Sequence, residues 1–266
     1  MKTLSLLFAT AVVLTLGSAG AAAAEDAAAL MNAAHAAYYY AGDGGSAKVH
    51  MVLTDKQGRE REREFWMLRA DIADMGDQNY YTYFITPADV RKTGFLVHKH
   101  ADGNDDRWLY IPALDLVKRI AADDRGSSFV GSDFSYEDVS GRLPALDAHT
   151  LVGEDTVMDR KAWKIESAPK DAGTADWDRK LTWIDQDSKL PLREEYYKGG
   201  ALQRVFTVDA IETVDGFPTA TVRSMRDEKR GKHSTIRFDE ISYTLNMKPD
   251  DFTERLLKNP PREYTR

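Results

Sequence analysis

The chain has 266 residues, 42% of them hydrophobic and 30% charged, with a net charge of −7 and no cysteine. That balance excludes a disordered polyelectrolyte, a collagen-like fibre and a bundle of membrane helices. The missing cysteine excludes disulfide scaffolds, thiol catalysis, cysteine-ligated zinc and acylation of an N-terminal cysteine, and the acidic charge disfavours nucleic acid or anionic lipid headgroups as the main partner.

Met1-Lys2-Thr3 is a short basic start, residues 4–16 are largely apolar, and small residues fill 17–24. This is the layout of a secretory signal peptide, with cleavage expected after Ala24. The apolar run is shorter than the roughly 20 residues that cross a bilayer. Residues 25–266 then form a single exported domain, and a chain of about 240 residues can bury a core without covalent staples.

From Ala27 the apolar residues Ala27, Leu30, Met31, Ala34 and Tyr38 share one face of a helix. Asp26 is its expected N-cap, and Gly42, Gly44 and Gly45 end it. Strand patterns follow at 48–54, 59–69, 79–86, 94–100, 107–111 and 116–120. They resume at 162–167, 180–185, 192–197, 202–208, 218–225 and 234–245. Short turns such as Asp55-Lys56-Gln57-Gly58 and Lys198-Gly199-Gly200 join them, which favours one large antiparallel sheet over a parallel α/β fold. Arg59 to Glu64 alternates arginine with glutamate, so about 20 Å of strand at ~3.3 Å per residue is expected to be wet on both faces, as a projecting hairpin tip.

One stretch, 121–148, breaks the rhythm of strands, and so long a connection is often functional. Ser135 and Asp138 have capping-box spacing for a short helix. Phe129, Phe134 and Tyr136 give the segment more aromatic surface than a solvated loop needs.

Three blocks carry a family likeness: Pro87 to Leu96, Trp108 to Ile120, and Ser128 to Asp138. In that order they resemble the outer membrane lipoprotein-sorting proteins, periplasmic relatives of the lipoprotein carriers LolA and LolB. Leu192 to Phe252 fits the order of strands in the same family. The resemblance implies a mainly β fold with a few helices: one strongly bent antiparallel sheet forming an incomplete barrel, its concave side covered by helices. It also implies a periplasmic monomer that holds an acyl chain in an apolar cavity.

No Gly-x-Ser-x-Gly, His-Glu-x-x-His or phosphate-cradling glycine loop occurs, so the chain reads as a non-enzyme without a cofactor. His98 and His100 could share a strand face, but no third ligand has matching spacing. Asp133, Glu137 and Asp138 lack the oxygen spacing of a calcium loop. No metal is expected.

The residues expected to line the cavity are Met51, Leu53, Trp66, Phe84, Phe95, Trp108, Tyr110, Trp183 and Phe206. Those expected in a lid are Leu30, Met31, Tyr38, Phe129, Phe134 and Tyr136. The leading reading is a carrier of a lipid or lipoprotein acyl chain between the inner and outer membranes. An inner-membrane transporter and an outer-membrane acceptor are its expected partners. The alternative is a non-catalytic accessory subunit that docks such a transporter through the Arg/Glu hairpin.

Overall fold

The computed structural model describes residues 18–73 and 75–265, with side chains from Ala27 onward. The expected signal sequence lies largely outside the described residues. Helix α1 (Ser18–Tyr39) is followed by β1 (Gly44–Thr54), β2 (Glu60–Asp71), β3 (Gln78–Thr86), β4 (Gly94–Lys99), β5 (Asp106–Ile111) and β6 (Leu116–Ile120). A crossing segment holds the short α2 (Tyr136–Ser140). The second arm is β7 (Asp147–Val157), β8 (Arg160–Pro169), β9 (Arg179–Asp185), β10 (Pro191–Lys198), β11 (Ala201–Val214), β12 (Phe217–Asp227) and β13 (Lys232–Ser242). A tail with α3 (Glu254–Lys258) ends the chain.

All thirteen strands form one antiparallel sheet in the order β6-β5-β4-β3-β2-β1-β13-β12-β11-β10-β9-β8-β7, not closed into a barrel. Every neighbour is a hairpin partner except β1, which pairs with both β2 and β13 and so joins the two arms. The free edges are β6 and β7, and residues 121–146 run between them.

Successive side chains on a strand point to opposite faces, and this sheet uses both. Val49 and Met51 of β1, Phe65 of β2, Phe84 of β3 and Phe95 of β4 share one buried cluster with Phe206, Val208, Met225 and Ile236 of the far arm. Residues so many strands apart meet only across the inside of a bent sheet, which identifies the concave face. Phe129, Phe134 and Tyr136 of the crossing segment fill it. The opposite parity on the first arm, Trp66, Leu68, Tyr81, Tyr83 and Leu96, packs beneath Phe252, Leu256, Leu257 and Tyr264 of the tail. The tail thus explains why Phe65-Trp66-Met67-Leu68 is apolar on both sides.

The structure corrects three expectations. Helix α1 is already helical at Ser18, the first described residue, so Asp26 lies inside it and is not its N-cap. The crossing segment is shorter than expected because β7 begins at Asp147. As an edge strand, β7 buries only Asp147 and His149 and leaves many of its other residues in water, so no apolar alternation marks it. The hairpin is not wet on both faces: Arg63 is 6% exposed and its guanidinium donates to the Val130 carbonyl inside the concave face. Glu60, Arg61 and Glu62 remain exposed.

Candidate functional site: a charged aromatic chamber under the crossing segment

Helix α1 lies along the concave side of the second arm, with Ala27, Met31 and Ala34 against Ile165 and Ile184. Its last turn carries Tyr38 and Tyr39 into the mouth of the bend. The Tyr38 ring meets Phe206 edge-on at 6.1 Å, and the Arg223 guanidinium lies 4.4 Å from the Tyr38 centroid. Burial pushes the Tyr38 phenol up to about 12, although Arg223 opposes the shift. On the other side Phe129 is wedged among Phe65, Phe84 and Phe95, at centroid distances of 6.2, 5.9 and 5.3 Å.

Between α1, the crossing segment and β9–β12 remains a cavity of about 80 Å³. Small-molecule pockets usually measure about 300–1,000 Å³, so the chamber is closed around its own side chains. Its wall includes Met31, His35, Tyr38, Phe134, Trp177 and Phe206.

Charged groups share that wall. Lys180 Nζ lies 2.8 Å from Glu194, which also accepts from Thr182 and from the Tyr196 hydroxyl. Arg204 reaches Asp138 at 2.8 Å, and Arg142 reaches Asp147 at 2.7 Å. These pairs are the arrangement under which charge tolerates burial. Burial, followed by the nearby Lys99 and Lys180, lowers His35 to about 3, so its ring is neutral at physiological pH. His35 Nε2 is buried without a hydrogen-bond partner.

The structure divides the sequence-predicted residues between two faces. Met51, Leu53, Phe84, Phe95 and Phe206 lie in the concave cluster, with Phe129, Phe134, Tyr136 and Tyr38 against them. Met31 lines the chamber, while Leu30 packs beside Ile165 and Ile184. Trp66, Trp108 and Tyr110 belong to the opposite face, under the tail. Trp183 is also on the outer side, with Leu181 and Leu192, its Nε1 donating to Asp155 at 2.8 Å. His98 is turned outward as well, 2.6 Å from the Phe252 carbonyl, while His100 lies between Asp77 and Asp106. Among the described residues no group of three His, Asp or Glu side chains gathers as a metal site.

Sequence reasoning missed the polar half of the chamber: His35, Lys180, Glu194 and Arg204. On β9 the alternation misleads, because Leu181 and Trp183 look like the core parity while Lys180 and Thr182 face the chamber. A usable signal was the closeness of Lys180 to Glu194 across an expected hairpin.

An open, bent antiparallel sheet whose concave face is covered by a helix and a crossing loop defines the class of LolA-type folds. A family model described as "-like: Uncharacterized protein" matches residues 76–259, and the chain belongs to that family. Its structural neighbours are outer membrane lipoprotein-sorting and LolA-superfamily proteins. A domain from Vibrio parahaemolyticus, described as an outer membrane lipoprotein-sorting protein, superposes with a TM-score of 0.81 at 26% identity, covering 88% of this chain and 99% of that one. A DUF1329 family protein from Desulfovibrio piger gives a TM-score of 0.81 at 24% identity over the same shares. A LolA-superfamily protein from Nitrosomonas europaea gives 0.66 at 18%, covering 86% of this chain and 98% of that one. No curated protein matches the chain.

Proposed function

We propose that the protein is a non-enzymatic periplasmic carrier that holds the acyl chain of a lipid or lipoprotein against its concave face. It takes the cargo from an inner-membrane transporter and delivers it to an outer-membrane acceptor. One observation carries the reading: among the described residues, the cover over the aromatic face makes no backbone-to-backbone hydrogen bond to the sheet. The backbone-to-backbone hydrogen bonds of residues 127–141 close within 124–141. The attachments to strands are made by side chains, namely Arg63 to Val130, Lys99 to Gly141, Arg204 to Asp138, and Ser234 and Lys232 to Asp133. Such a cover can leave without breaking a ladder, and an acyl chain can replace Phe129, Phe134 and Tyr136. Each methylene so shielded contributes about 0.8 kcal/mol, so several together offset the burial that the three rings give up.

The absence of cysteine makes a clean test possible. The backbone N–H of Asp133 lies 3.0 Å from Ser234 Oγ, so an Asp133→Cys/Ser234→Cys pair can tie the cover to β13. A fluorescent fatty acid should bind the reduced double variant and the unmodified protein, and should fail to bind the oxidised variant. Native mass spectrometry of protein purified from periplasm should find a lipid or acylated species. Protein that is always empty and ignores the probe at micromolar concentration rules the carrier out.

A further inference from the structure

Outside the chamber, below the turn from β4 to β5, lies a separate cleft of about 360 Å³. It shares only the Glu137–Arg142 wall with the chamber. Lys99, Arg107, Arg125 and Arg142 all line it. Three carboxylates stand among these four cations. Asp105 is engaged by Arg107 at 2.6 Å and by Ser140 at 2.9 Å. Asp147 takes Arg142 from behind at 2.7 Å. Glu137 stands at the looser distances of 3.5 Å from Arg142 and 3.6 Å from Arg125. A fourth carboxylate, Asp102, is at the mouth and exposed.

The cation left over is Lys99. It is 1% exposed, and its Nζ donates to the Gly141 carbonyl at 2.7 Å, with no carboxylate within ion-pair distance among the described residues. Arg107 is 3% exposed, and its Nε is buried without an acceptor. A buried ammonium without an ion-pair partner and an unused guanidinium N–H are costly inside a protein unless an acceptor arrives from outside. The imbalance has a remote effect, since Lys99 is one of the two cations that depress His35. Burial likewise pushes the Lys99 ammonium down.

We propose that this cleft binds a phosphate group, with Lys99 and Arg107 at its floor and Arg125 at its rim. Guanidinium forks and an ammonium suit a tetrahedral oxyanion, which offers three or four acceptors where a carboxylate offers two. The cleft volume leaves room for what the phosphate is attached to. The same chemistry is presented by a phospholipid headgroup and by free phosphate. The proposal does not need an acyl cargo, since free phosphate tests it alone.

The processed full-length protein is titrated calorimetrically with inorganic phosphate and with dihexanoyl phosphatidic acid below its micelle concentration, against chloride at matched ionic strength. Saturable binding at one site per chain is expected, and about tenfold or more should be lost in Lys99→Met. The decisive contrast is thermal. Without phosphate Lys99→Met should melt at or above the unmodified protein, because it removes a buried unpaired charge, yet it should lose the rise in Tm that phosphate causes. Arg125→Gln, at the rim, should weaken binding in the same sense and serves if Lys99→Met does not fold. Competition between the two ligands, with phosphatidate the tighter, assigns the site to a headgroup. Binding of inorganic phosphate alone assigns it to the free ion. Saturable binding of neither ligand overturns the proposal, as does binding that both variants leave unchanged.

Discussion

A neutral histidine next to two buried ammonium groups makes stability depend on pH. His35 is held at about 3 by burial, then by Lys99 and Lys180, against an ordinary 6.5. Below about 6.5 the unfolded chain takes up a proton that the folded chain refuses until near 3, so stability falls as pH drops through that window. The loss amounts to about 3 kcal/mol at about pH 4. His149 is also lowered, chiefly by burial, and adds a slope of the same sign. His35→Leu should therefore flatten the acid limb of a urea-midpoint against pH curve without abolishing it. Superimposable curves for the two proteins would mean that His35 does not titrate as the structure requires. The same residue shows the limit of reading a sequence: in Met31-Asn32-Ala33-Ala34-His35 nothing signals that two lysines from distant strands converge on the ring.

At the scale of elements, most of the architecture was legible and the sidedness was not. The strand pattern, the turn residues and the long aromatic connection lead to the antiparallel sheet and its crossing segment. Parity on β2 cannot be read, because Phe65, Trp66, Met67 and Leu68 are all apolar and the tail that buries the second face lies nearly two hundred residues downstream. Pattern alone therefore groups Trp66, Trp108 and Tyr110 with Phe84 and Phe95, from which the sheet separates them. This separation is testable. Leu257 is fully buried on the tail side, so Leu257→Ala should cost about 2–5 kcal/mol in chemical denaturation. It should leave binding of the acyl probe unchanged. Phe206→Asp, on the chamber wall, should reduce probe binding. Equal loss of probe binding in both variants would mean that cargo does not sit on the concave side.

Taken whole, the molecule is two arms of a sheet joined at the β1–β13 ladder, with a cover held from inside by side chains. The ladder pairs Lys48 to Thr54 with Asp239 to His233 in unbroken register, and β1 is also paired along its full length with β2. Opening this seam breaks many backbone hydrogen bonds and exposes Val49, Met51 and Ile236 together. Releasing the cover breaks only its side-chain attachments and exposes the faces of Phe65, Phe84 and Phe95. Local opening free energies should therefore differ strongly between the two. Amide hydrogen exchange in cargo-free protein should find β1, β12 and β13 the slowest and residues 127–141 much faster. Acyl probe should change the exchange of 127–141 while leaving the seam as it was. If 127–141 proved as protected as β13, an acyl chain could reach the concave face only by global unfolding. This one measurement therefore decides whether the cover is a door or a permanent part of the core.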